Sequence, residues 1–167
     1  GRVLDTGRRG AVLKPPALRI VVDTREQRPF DLVGFQTVRG TLNAGDYSLS
    51  GYENSVAVER KSKEDAWGCV GGGRKRFVAC VERLAALDRA AIVIECSLSD
   101  MLVKPPYVKR VTPATAVGSY ISWACGYRIP VFWCDNREYA ERVAVRFLAA
   151  YLKHVAAGRG VKVGGTT

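Results

Sequence analysis

The sequence predicts a single mixed α/β domain, a sheet flanked by helices, on three observations. Short β-branched runs broken by turn residues fill the segment from Leu18 to Lys61. From about Arg74 the apolar residues recur at helical spacing instead. Beyond that point apolar strands and amphipathic helices alternate, which is the pattern of a sheet covered by helices. A chain of 167 residues with 47% apolar content can bury one real core.

Residues 1–17 are basic and glycine-rich and close on Pro15 and Pro16, so they read as a mobile arm, with the domain over 18–155 and a flexible glycine-rich tail over 156–167. "ALRIVVD" is a buried strand that ends in charge. "FQTVRGTL", "DYSLSG" and "SVAVERK" are three more strands, the last two joined by the turn "SGYEN". Phe77, Cys80, Val81, Leu84 and Leu87 then mark a helix. "AAIVIEC" is a further strand and "VKPPYVKR" a basic loop. Thr112 and Pro113 form an N-cap and first-turn pair for a helix that Gly126 should end. "IPVFWC" is the last strand. Asp135 should cap a final helix whose apolar stripe is Tyr139, Val143, Phe147, Tyr151 and Val155. Trp123, Phe132 and Trp133 read as core, Trp67 as packing under the nearby glycines or stacking on a base, and Tyr107 is left open.

The charge narrows the partners. Twenty-six Lys and Arg against sixteen Asp and Glu give +10, which favours a polyanion such as nucleic acid. The five cysteines are odd in number and form no C-x-x-C pair, the habit of reduced core residues in an intracellular protein. One histidine, His154, leaves no material for a zinc site or a Ser-His or Cys-His nucleophile. No run of about 20 apolar residues offers a membrane span, and no G-K-[ST] follows the glycines to make a nucleotide-binding loop.

Acidic residues fall at strand ends: Asp23 and Glu26 in "VVDTRE", Asp46 in "GDY", and Glu59 with Arg60 and Lys61 in "VERK". Hard divalent cations prefer carboxylate oxygens, and magnesium takes one or two of them besides water and phosphate. A lysine beside such a site can orient or help deprotonate an attacking water, which suits metal-assisted phosphodiester hydrolysis. The plainer alternative is that Asp23 caps a turn, Gly45-Asp46 is a loop pair and Glu59 to Lys61 is a surface ion pair. Neighbouring charges on one strand should face opposite sides, so a bulge or strand end is expected to aim them together.

"VVDTRE", "GDY", "VERKSKED" and "RF" resemble, in order and spacing, the nuclease domain of the XPF and Mus-type structure-specific endonucleases, from about Leu18 to His154. The resemblance implies a restriction-endonuclease-like α/β fold, Mg2+ or Mn2+ as cofactor, and cleavage of DNA at flaps, forks or junctions in repair, recombination or replication. By the same resemblance Asp23, Asp46 and Glu59 are metal ligands, and Glu26, Arg60, Lys61 and Asp65 complete the catalytic set. Arg25, Arg74, Lys75 and Arg76 would contact phosphate. The chain departs from the family in carrying Cys80 where a glutamine is usual after "RF". A homodimer through the nuclease domain is expected, with location in the cytoplasm or nucleoid of a bacterium or phage, or in a eukaryotic nucleus. Two other readings stay open: a noncatalytic DNA-binding subunit of the same fold, and a sequence-reading restriction-type nuclease.

Overall fold

The computed structural model describes residues 18–158. The expected arm over 1–17 and residues 159–167 of the expected tail lie outside the described residues. Six strands form one sheet: β1 (Arg19–Asp23), β2 (Gln36–Gly40), β3 (Tyr47–Leu49), β4 (Val56–Lys61), β5 (Arg89–Ile94) and β6 (Val131–Trp133). Their order across the sheet is β2-β1-β3-β4-β5-β6. β1 pairs parallel with β2, β4 with β5, and β5 with β6, whereas β3 is antiparallel to both β1 and β4. Every strand but β3 therefore ends at the same edge of the sheet. β3 begins there.

The helices are α1 (Lys63–Val70), α2 (Arg74–Ala85), α3 (Leu98–Met101), α4 (Pro113–Tyr127) and α5 (Arg137–Ala156). The sheet has a core on each face because its central strands are apolar at nearly every position, so both sets of alternate side chains need cover. On one face Ala57, Ile92 and Ile94 pack with Trp67, Phe77, Tyr120 and Trp123 from α1, α2 and α4. On the other, Ile20, Val22, Val58, Ala91 and Val93 pack with Phe30 and Leu32 and with Ala140, Ala144 and Leu148 of α5. The result is a mixed sheet between helical layers, as the order of elements predicted.

Several local expectations are corrected. The short helices α1 and α3 were not expected, although Ser62 and Ser97 cap them by accepting from the amides of Asp65 and Asp100. α4 starts at Thr112–Pro113 as predicted, but Gly126 lies inside it and Arg128 ends it in the left-handed region at φ 57°. Asn136, not Asp135, caps α5: Asn136 Oδ1 accepts from the amide of Tyr139 at 2.9 Å, while Asp135 makes the preceding turn at φ 62°. The buried stripe of α5 is Ala140, Ala144, Leu148, Tyr151 and Leu152: Tyr151 is buried as expected, and the other four lie one position on from Tyr139, Val143, Phe147 and Tyr151, where small alanines let the helix lie close to the sheet. Phe132 is not core but 36% exposed, because β6 is an edge strand.

Candidate active site

No bulge is needed to gather the charges. β4 pairs with β5 without a break from Val56 to Lys61, so strict alternation sends Glu59 and Lys61 to one face and Arg60 to the other. The convergence comes from the single reversed strand. Its first neighbour, Asp46, donates its amide to Val58 O at 2.9 Å and accepts on Oδ2 from the amide of Arg60 at 2.7 Å, which fixes it beside Glu59. Asp23 at the end of β1 donates its amide to Asp46 O at 2.8 Å. Gly45 makes the approach possible. Its φ is +76°, and a Cβ there would lie 2.7 Å from Ala57 Cβ.

Lys61 Nζ contacts Glu59 Oε1 at 2.8 Å and sits 5.0 Å from the centre of the Phe77 ring. Burial works against its charge, but Glu59 outweighs that, and the lysine titrates above its ordinary value. Lys61 is thus a fixed cation, suited to orienting an oxygen and not to taking its proton. Asp46 shifts the opposite way for a carboxylate: burial first, then repulsion by Glu59, pushes it up to about 8. Two carboxylates that cannot comfortably ionise together are a donor set for a hard cation.

Asp23 and Glu26 are already engaged. Asp23 Oδ1 accepts from the amide and Nε of Arg25 at 2.9 and 2.8 Å, and Oδ2 from Arg25 Nη2 and the amide of Leu42 at 3.0 and 2.7 Å. Although burial opposes its charge, these donors hold the carboxyl below the usual range. Glu26 faces Arg60 through both oxygens at 3.2 Å, in a pair whose side chains are 7% and 8% exposed. Arg60 also donates to Glu95 Oε1 at 2.8 Å, and Glu95 accepts from Arg137 at 3.0 Å. Both guanidinium groups lie over the Phe30 ring, which stacks on Tyr47. Arg60 and Glu26 are therefore a buried brace behind the acids.

The acids floor a cleft lined by Arg25, Asp46, Lys61, Asp65 and Arg76, continuous through shared walls with a recess reaching Glu59 and Phe77. Of the basic residues expected on phosphate, Arg25 and Arg76 line this cleft. Arg74 is turned onto α4, donating to Ser119 Oγ at 2.8 Å and lying 5.0 Å from the Trp123 ring centre, and Lys75 is exposed outside the cleft walls. Glu95 and Arg137 were missed. Glu95 carried the signal used for Asp23, an apolar run ending in an acid; Arg137, in the first turn of a distant helix, carried none. Among the described residues no group of three or more His, Cys, Asp or Glu converges as a metal site.

The family model of the ERCC4 domain matches residues 22–147, which spans every residue of this site from Asp23 to Arg137. The chain belongs to the ERCC4 domain family. Solved structures similar to this ERCC4 domain include XPF from Aeropyrum pernix, at TM-score 0.65 and 21% identity over 83% of this chain and 67% of that one. The same archaeal protein in complex with DNA aligns at TM-score 0.60 and 21% identity, over 87% and 68% of the two chains. These likenesses establish the fold. No curated protein matches the sequence.

Proposed function

We propose that this ERCC4 domain is a metal-dependent endonuclease that hydrolyses phosphodiester bonds of DNA, with preference for branched forms. The observation that carries the reading is the pair Asp46 and Glu59, one in a cleft of mixed charge and the other in its adjoining recess, with Asp46 pushed up to about 8 and Lys61 held as a cation beside them. A magnesium or manganese ion held by Asp46 and Glu59 would supply charge for the scissile phosphate and acidify the attacking water. Arg25 and Arg76 bind the phosphate, and Asp65, in the first turn of α1, faces the same cleft. Lys61 orients the attacking or leaving oxygen, and Arg60 and Glu26 hold the end of β4 rigid. Arg25 has a side chain 68% exposed, and a swing away from Asp23 and Leu42 O onto a phosphate would make Asp23 Oδ1 available as a third ligand. DNA repair, recombination or replication, inside a cell, is the setting we assign.

Homodimerisation belongs to the same proposal. Support comes from the β6 edge, where half-exposed Phe132 packs on Phe147 at 6.4 Å between ring centres and Tyr139 is exposed nearby in sequence. Light scattering tests it. The activity is tested with labelled flap, fork, four-way junction and plain duplex DNA in magnesium, manganese or EDTA. Cleavage of branched forms with either metal, and none in EDTA, is expected. Tight binding without cleavage of any substrate would move the reading to a noncatalytic DNA-binding subunit, and cutting at one base sequence in plain duplex to a restriction-type enzyme.

A further inference from the structure

The loop between α3 and α4 has no part in the site just described. Leu102, Val103, Lys104, Tyr107, Lys109 and Arg110 are all exposed, Tyr107 at 61%. Its base is nonetheless anchored, because Val108 and Val111 pack on the core under α1, α2 and α4. The amide of Val108 donates to Pro105 O at 3.0 Å, and Lys109 Nζ to Pro106 O at 3.3 Å, so the tip is a closed turn. Two adjacent prolines fix its backbone in advance. Among the described residues, Lys104, Lys109 and Arg110 have no carboxylate within 4.0 Å. A rigid turn thus presents one aromatic ring among three uncompensated cations.

The loop also meets α1. It leaves α3 and returns beside the C-terminal end of α1, where Val111 Cγ2 would lie 3.9 Å from a Cβ on Gly71. α1 is eight residues long, about 12 Å. The Gly71–Gly73 turn leads straight into Arg74, Lys75 and Arg76, and Arg76 lines the cleft. The loop is thus anchored on the turn from which one cationic wall of the cleft begins.

We propose that this loop is a binding site for single-stranded DNA, with Tyr107 stacking on an unpaired base and Lys104, Lys109 and Arg110 holding its phosphates. Stacking accepts any base and the cations read only backbone, so the site takes unpaired strand without sequence preference. The proposal rests on the nuclease reading for its purpose but not for its test, which uses binding alone. Fluorescence anisotropy with a labelled oligothymidine and a blunt duplex, in EDTA, compares the unaltered chain with Tyr107→Ala, Tyr107→Phe and the triple variant K104A/K109A/R110A. We expect Tyr107→Ala to weaken oligothymidine binding roughly tenfold, Tyr107→Phe to retain it, and both to leave duplex binding unchanged. The triple variant should lower the dependence of oligothymidine binding on salt. Equal oligothymidine affinity in Tyr107→Ala and the unaltered chain would overturn the proposal, as would failure of the unaltered chain to bind oligothymidine. A chain that binds through Tyr107 yet cleaves nothing would overturn the nuclease reading and leave this one standing.

Discussion

Asp46 is held through one oxygen by the Arg60 amide, and its other oxygen has no hydrogen-bond partner among the described residues. Burial, with Glu59 beside it, makes the folded protein retain a proton that the unfolded chain releases near 3.8. For an acid raised in the folded state, stability is fully present below the unfolded value and is lost as pH rises from there through about 8. We expect Asp46→Asn to remove this loss, so its melting temperature should gain on that of the unaltered chain between pH 5 and pH 8.5. Magnesium should stabilise the unaltered chain more at pH 8.5 than at pH 5, and the variant little at either. Thermal melts at the two pH values, with and without magnesium, decide it. A turn-capping role for Asp46 would show the reverse, a variant less stable at every pH.

Neighbouring charges respond differently because they are already neutralised. Asp46→Asn and Glu59→Gln should each reduce cleavage by at least about 100-fold, while DNA binding in EDTA stays equal for Asp46→Asn, whose carboxyl holds a proton up to about pH 8, and tightens for Glu59→Gln, which removes a charge facing phosphate. Lys61→Met should lose cleavage and weaken binding. Arg60→Leu should instead cost about 3 kcal/mol of stability by stranding Glu26 in the interior and leaving Glu95 to Arg137 alone, read from denaturant unfolding.

At the scale of elements, the turn before β3 sets the site. Gly45→Ala must tolerate φ +76° and a 2.7 Å approach to Ala57 Cβ, so we expect a loss of about 2 kcal/mol. Cleavage should fall further than the folded fraction does, because Asp46 moves with the turn. The segment "VERKSKED" shows what could and could not be read beforehand. Its charges marked it as the candidate site, whereas the start of α1 was not expected although Ser62 stood ready to cap it. Its strand alternation was enough to separate Glu59 from Arg60 without any bulge. What each charge meets was not legible: Arg60 finds Glu26 and Glu95 at separations of 34 and 35 residues, which depend on strand order and not on local pattern.

For the whole molecule, the succession of periods sufficed for a sheet between helices, since each face of the sheet needed cover. Strand order was not readable, because the same apolar runs allow β3 to lie at an edge or in the middle. The charge of +10 is likewise a property of the whole chain. Binding to duplex DNA should weaken steeply from 50 to 200 mM salt, linearly in log-log form, with little difference between base sequences. Titration of two unrelated duplexes across that range measures both.

The three residues of β3 have a kinetic consequence. Within the sheet they are the link between the β2-β1 pair and the β4-β5-β6 group, and the amides of Asp23, Asp46 and Arg60 are bonded at the end of that junction. So short a strand is where the sheet should part first, by a local opening that leaves both larger pieces folded. The acids would separate before the molecule unfolds. Hydrogen exchange at these three amides should then be faster than at Ile92 and Val93 in β5, and should slow when magnesium joins Asp46 to Glu59, so that the ion acts as a clasp on the sheet itself.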